Sequence, residues 1–212
     1  FVRQSLTYRD RFFMRLGIFG GAFDPIHNGH LLLAEQCREQ CQLDEVWFVP
    51  TKIPPHKEAG SLSPDEARVE MLKLATAGRS DFVVSEIELN REEVSWTVDT
   101  LTLLRDERPE DELFFLIGAD SLRDFSSWKE PETIAELATV VAVNRGEASL
   151  DELTASLKPE LSASVRLVTM PGISISATDL RSRVSAGKSI RYLVPRAVEE
   201  FILAQKLYAG PN

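Results

Sequence analysis

The sequence predicts a doubly wound α/β fold with a mostly parallel sheet and extra helices at its C-terminal end. Three observations carry this expectation. Short β-rich segments alternate with helical patterns along the chain, several of those segments are apolar nearly throughout, and their separations leave room for helical crossovers. Strands that are apolar on both faces are the mark of a parallel sheet covered by helices on each side.

The strand candidates are Arg15 to Gly20, Glu45 to Val49, Asp81 to Ile87, Glu112 to Ile117, Thr139 to Val143 and Val165 to Thr169. A helix follows the first strand, beginning in the segment around His27 to His30. Ser63-Pro64-Asp65-Glu66 combines a Ser N-cap, a Pro at the first helical position and a Glu placed for a capping box, so a helix is expected from there to about Ala77. Another is expected near Val98 to Arg105, and a last one after Pro195. The segment from Val49 to Pro64 is long, polar and proline-bearing, as substrate-covering loops often are.

The 212 residues, 43% of them hydrophobic, suit one domain, placed here at residues 14–208. Met14-Arg15-Leu16-Gly17 leads directly into the first strand, and residues 1–13 show no periodic pattern, so they are expected to be a dispensable extension. A net charge of −9 disfavours polynucleotide partners, because phosphate contacts would work against the field of the whole molecule. A small anionic substrate stays open, since a local cation cluster outweighs a screened net charge at short range. Cys37 and Cys41 form neither a zinc spacing nor a disulfide framework and read as buried thiols. With no apolar run long enough for a membrane span and no apolar stretch of a secretory signal, the expected location is cytoplasmic.

The segment richest in chemistry is Gly17-Ile18-Phe19-Gly20-Gly21-Ala22-Phe23-Asp24-Pro25-Ile26-His27-Asn28-Gly29-His30, joining the first strand to the first helix. A helix N-terminus at a strand's carboxyl end offers N–H groups and a positive dipole end to phosphate. Gly20 and Gly21 would allow close approach of a nucleotide, and Gly29 would let the helix pack against it. His27 and His30, three apart, point the same way on one turn and can donate to phosphate oxygens. A pair of core histidines, or a two-ligand metal site with only His56 left as a third histidine, is the competing reading. The preceding glycines on a strand-turn-helix favour phosphate.

Residues 20–30 resemble the signature of bacterial nicotinate mononucleotide adenylyltransferases, within the nucleotidyltransferase superfamily marked by His-x-Gly-His. Ala22 stands where that family more often has Thr or Ser. A second segment, Ile175-Ser176-Ala177-Thr178-Asp179-Leu180-Arg181, resembles the family's Ile-Ser-Ser-Thr-x-Ile-Arg. Thr178 reads as an N-cap, which would put Arg181 in the first turn of a helix as a clamp on ATP phosphates. Pro54-Pro55-His56-Lys57 matches a family segment that lies over the phosphates, although a solvated proline-rich loop reads similarly. Ser95-Trp96-Thr97-Val98-Asp99-Thr100 resembles Ser-Tyr-Thr-x-Asp-Thr, which implies that Thr97 meets the pyridine substituent. The resemblance further implies that Gly118 and Asp120 meet a ribose and that Trp128 stacks on the pyridine ring. Trp47 reads as a packing residue.

The resemblance spans Met14 to about Tyr208 and implies a Rossmann-like enzyme of NAD biosynthesis that joins the AMP part of ATP to nicotinate mononucleotide. The implied catalytic residues are His27, His30, Lys57 and Arg181. Gly20, Gly21, Ala22, Phe23, Gly29, Gly118, Asp120, Ser176 and Thr178 are implied to bind ATP. His56, Thr97 and Trp128 are implied for the pyridine nucleotide. Mg²⁺ would arrive on the ATP oxygens rather than in a protein cage. Three rival readings stand beside it: the same chemistry on another acceptor, a fragment of a class I aminoacyl-tRNA synthetase, and a silent nucleotide sensor. Among acceptors, the matches at Thr97 and Trp128 argue against phosphopantetheine or a phosphorylated alcohol and leave nicotinamide mononucleotide open. The acidic charge argues against the synthetase fragment, and the retained clamp residues argue against the sensor.

Overall fold

The computed structural model describes residues 13–55, 62–144, 152, 154 and 157–210. Six strands form one parallel sheet: β1 (Arg15–Gly21), β2 (Glu45–Pro50), β3 (Phe82–Val84), β4 (Glu112–Gly118), β5 (Thr139–Asn144) and β6 (Val165–Thr169). Their order across the sheet is β3-β2-β1-β4-β5-β6. All five pairings are parallel, with Ile18 of β1 aligned to Trp47 of β2 and to Phe115 of β4. All six strand candidates therefore form, in the doubly wound arrangement. β3 is shorter than its candidate because the chain leaves the sheet after Val84, where Ser85 N–H still donates to the Phe48 carbonyl.

Alternation along the central strands explains why they look uniformly apolar. Phe19, Phe48, Phe114, Leu116, Val141 and Val143 face one core layer, with Leu33 of α1 (Asn28–Cys41) and Met71 and Leu72 of α2 (Asp65–Thr76). Leu16, Ile18, Phe115, Ile117, Val140 and Ala142 face the other layer, with Leu101 and Leu104 of α3 (Thr97–Glu107). Each face is buried, so both parities of the strand must be apolar. Along the second face lie α4 (Ala119–Arg123), α5 (Pro131–Leu137) and α6 (Pro159–Ala163). The C-terminal α7 (Ala177–Ser185) and α8 (Arg196–Ala204) return to the first face through Leu180, Val198 and Ile202. Gly17 suits this packing: a Cβ there would stand 2.7 Å from Leu43 Cδ1 and push that side chain aside.

Two helix starts differ from expectation. The N-cap of α2 is Pro64, with no side-chain cap, and Ser63 lies outside the helix, its backbone N–H donating to Asp24 Oδ2 at 3.2 Å. The N-cap of α7 is Ser176, whose hydroxyl accepts from Asp179 N–H at 3.1 Å. Thr178 is consequently inside the first turn, and Arg181 is in the second turn rather than the first. The helix after Pro195 forms as expected. Residues 1–12, and the cations His56 and Lys57, lie outside the described residues.

Candidate active site

The strand order reverses between β1 and β4, and a cleft of about 280 Å³ opens beyond the carboxyl ends of these strands. Open α/β sheets bind ligands at such a switch point, because the adjoining crossovers go to opposite faces and leave a crevice between them. Gly20 and Gly21 of β1, Gly118 of β4, Trp96 and Thr97 at the start of α3, and Trp128 line the cleft. Trp128 meets Phe115 and Phe125 edge to face, with ring centroids 5.9 and 5.6 Å away, which fixes its plane beside the cleft. Trp96 also lines it, with Lys129 Nζ 5.6 Å from the ring centroid. Trp47 packs against the core layer beneath and donates to Glu45, as a packing residue does.

Next to the cleft, β1 runs into the loop that ends at α1. Gly20 and Gly21 are still in the strand, so their lack of a side chain serves space rather than an unusual backbone angle. The left-handed residue of the turn is Phe23, at φ 47°, buried against Phe19 and Phe48. His27 is the N-cap of α1 and His30 is the third helical residue; their rings stack at 3.6 Å with an 18° interplanar angle. His27 N–H donates to His30 Nδ1 at 3.3 Å, which turns the opposite ring nitrogen of His30 away from the backbone. Gly29 makes room for this pair, since a Cβ would lie 3.0 Å from His27 Nδ1. The glycine thus serves the histidine ring as much as the helix packing. The N–H of Asn28 is not offered to a ligand, because it donates to the Leu193 carbonyl at 2.9 Å.

Tertiary contacts hold this loop from three sides. Arg68 of α2, fully buried, donates to the Ala22 carbonyl at 2.8 Å and to the Ser63 carbonyl at 3.2 Å. Tyr208 Oη donates to Asp24 Oδ1 at 2.5 Å, and that buried contact pushes the phenol's pKa far above its ordinary value, with desolvation as the larger cause. Arg181 Nη1 donates to the Asp24 carbonyl at 2.7 Å, and Nη2 reaches Thr178 Oγ1 at 3.4 Å. The late motif and the early motif are therefore joined through one residue, Asp24. Each oxygen of its carboxylate accepts one hydrogen bond, from Tyr208 Oη and from Ser63 N–H.

The sequence-derived site residues are not all brought together. Asp120 is exposed at the start of α4, its side chain 86% accessible and reached by Arg123 at 3.3 Å, while the neighbouring Ser121 lines the cleft. Arg68, Tyr208 and Glu88 were missed. Glu88 could have been found only by noticing an acid near a strand end, whereas Arg68 and Tyr208 carry no local signal.

Residues 18–183 match the family model described as cytidylyltransferase-like. A protein of Thermomicrobium roseum named "Probable nicotinate-nucleotide adenylyltransferase" is 47% identical over 196 residues, covering 92% of this chain and 91% of that protein. A Thermus thermophilus protein of the same name is 48% identical over 195 residues, covering 92% and 100%. The chain belongs to the nicotinate-nucleotide adenylyltransferase family. Family membership fits the contact between the two motifs, made by Arg181 with the Asp24 carbonyl. Among solved structures, Plasmodium falciparum nicotinic acid mononucleotide adenylyltransferase complexed with NaAD superimposes with a TM-score of 0.77 at 21% identity, covering 92% of this chain and 97% of that one. The same protein complexed with APC gives 0.75. At that identity the likeness is one of fold. In this member of the nicotinate-nucleotide adenylyltransferase family, no helix among the described residues is long and apolar enough to cross a membrane.

Proposed function

We propose that this chain transfers the adenylyl group of ATP to nicotinate mononucleotide, giving deamido-NAD and pyrophosphate as a step of NAD biosynthesis. The observation that carries the reading is the joining of two compartments at one strand switch point. A flat-walled cleft with Trp96, Thr97 and Trp128 adjoins the Gly20–His30 loop, to which Arg181 is tied. The mononucleotide's phosphate oxygen attacks the α-phosphorus of ATP, a new P–O bond forms, and the bond to the bridging oxygen breaks as pyrophosphate leaves. The attacking phosphate is already ionised near neutral pH, so no general base is needed. Catalysis rests on positioning and charge stabilisation. We assign His27, His30, Lys57 and Arg181 to the clamp on the phosphates. The loop and helix residues Gly20, Gly21, Ala22, Phe23, Gly29, Gly118, Asp120, Ser176 and Thr178 are assigned to ATP, and His56, Thr97 and Trp128 to the pyridine nucleotide.

Mg²⁺ would travel on the triphosphate and neutralise charge on the leaving pyrophosphate. Residues 14–208 are proposed as the catalytic unit: Met14 is already knitted to β4 through Asp111 Oδ1 at 2.8 Å and Glu112 N–H at 2.8 Å. The proposed location is the cytoplasm, where ATP is supplied and the buried thiols Cys37 and Cys41 stay reduced. Pyrophosphate release with ATP and nicotinate mononucleotide tests the reaction. Thr97→Val should lower kcat/KM for nicotinate mononucleotide about tenfold, the loss of one hydrogen bond to a charged group. No release above the rate with ATP alone would overturn the assignment.

A further inference from the structure

Glu88 is 5% exposed, yet it contributes to the wall of the cleft that holds Trp96, Thr97 and Trp128. Its Oε1 accepts from Thr100 Oγ1 at 2.8 Å. Its Oε2 is buried, and although the Ser95 and Thr51 hydroxyls lie close to the carboxyl, neither bonds this oxygen in good geometry. Thr100 lies one helical turn after Thr97 on the same side of α3, so the acid stands under the part of the cleft assigned to the ring substituent. A buried carboxyl short of hydrogen bonds is costly when charged, and this one sits in the wall of a cleft, where a ligand can meet it.

Burial pushes the Glu88 carboxyl above its ordinary pKa, against the opposing influence of the Thr100, Ser95 and Thr51 hydroxyls and of the Arg91 charge. Arg91 lies on the same loop as Glu88, Lys52 follows β2, Asp99 is on α3, and Lys129 follows Trp128. Of these, Lys129 and Asp99 are paired with each other at 3.0 Å. The ring substituent of nicotinate mononucleotide is a carboxylate and that of nicotinamide mononucleotide is a neutral amide. Charge on the cleft wall therefore acts on one and not on the other.

We propose that Glu88 sets the acid-over-amide preference of the cleft: an uncharged Glu88 admits a ring carboxylate, and a charged one repels it. The inference rests on the pyridine-nucleotide reading above. It makes specificity a function of pH, because two like charges near each other in a partly desolvated site oppose binding far more than in water.

The test is the ratio of kcat/KM for nicotinate mononucleotide to that for nicotinamide mononucleotide, at saturating ATP, between about pH 6 and about pH 9. The substrate phosphates titrate alike near the low end of this window and cancel in the ratio, as do changes in ATP. In the unaltered protein the ratio should fall about tenfold or more as pH rises, and in Glu88→Gln it should stay at the low-pH level throughout. A purely structural role would change both substrates together and leave the ratio flat. A flat ratio in the unaltered protein, or an equal slope in Glu88→Gln, overturns the inference while leaving adenylyl transfer standing. Failure of nicotinate mononucleotide to react at any pH would instead overturn the function itself. Should Glu88→Gln not fold, the NMR shift of the Glu88 carboxyl carbon in the unaltered protein must titrate with the midpoint of the ratio, and a different midpoint overturns the proposal.

Discussion

Replacing Arg68 by methionine keeps an unbranched apolar stem in place and removes every donor of the guanidinium. Arg68 is fully buried, and its three contacts go to the Ala22 carbonyl, the Ser63 carbonyl and Asp65 Oδ1. The two carbonyls would be left without this donor, at about 1–3 kcal/mol each. The Asp65 contact adds less, because that carboxylate is 39% exposed and water replaces the lost partner. Release from burying a charge offsets part of the loss. The expected net destabilisation is about 3 kcal/mol, which for a chain of this size lowers Tm by roughly 6–12 °C. Urea unfolding at fixed pH would measure it, with an unchanged m-value showing that the denatured state is unaffected. Activity measured well below the transition should still fall, since the Ala22 end of the phosphate loop loses its anchor. A loss of stability under about 1 kcal/mol would refute the reasoning, because hydrogen bonds of this kind cannot then be holding the loop.

His30→Ala should lower kcat about a hundredfold with a smaller effect on KM, as expected for a donor that acts mainly in the transition state. Steady-state kinetics with a circular-dichroism check of folding would read it, and an unaltered kcat would return His30 to packing against Phe23. Arg181→Ala should raise KM for ATP more than KM for the mononucleotide, and Arg181→Lys should restore only part of the loss because it lacks the planar fork; equal losses would mean a role confined to holding Asp24. Stability should also fall in acid. Hydrogen bonding from Arg38 to Glu35, and from Arg79 to Asp81, holds both carboxyls below their ordinary values, so their contribution is complete above the usual carboxylate range and is lost as pH falls through the lowered values. Glu88 has the opposite sign: its raised value means stability is lost as pH rises through it, so Glu88→Gln should be relatively more stable at alkaline pH.

Much of this protein was legible before any coordinates. Strands β1, β2, β4 and β5 announce themselves because residues of both parities must be apolar when a sheet is covered on two faces, and that demand is written into consecutive positions. The Gly20–His30 loop was legible for the same reason: its glycines, histidines and helix start are neighbours in sequence, and Gly29 answers to a ring only two residues away. The N-caps of α2 and α7 were misplaced because several hydroxyl and proline residues compete over two or three positions. Ser63 is held through its backbone N–H by Asp24, a residue 39 positions away. Asp24 itself read as part of a motif, yet its partners Tyr208 and Arg181 lie 184 and 157 positions off. Nothing in the local sequence pattern singles out Arg68 or Glu88. Local pattern thus determined the sheet, its layering and the phosphate loop. Only the tertiary structure decided which charges were buried and what they held, because burial depends on what packs above a residue and not on its neighbours in the chain.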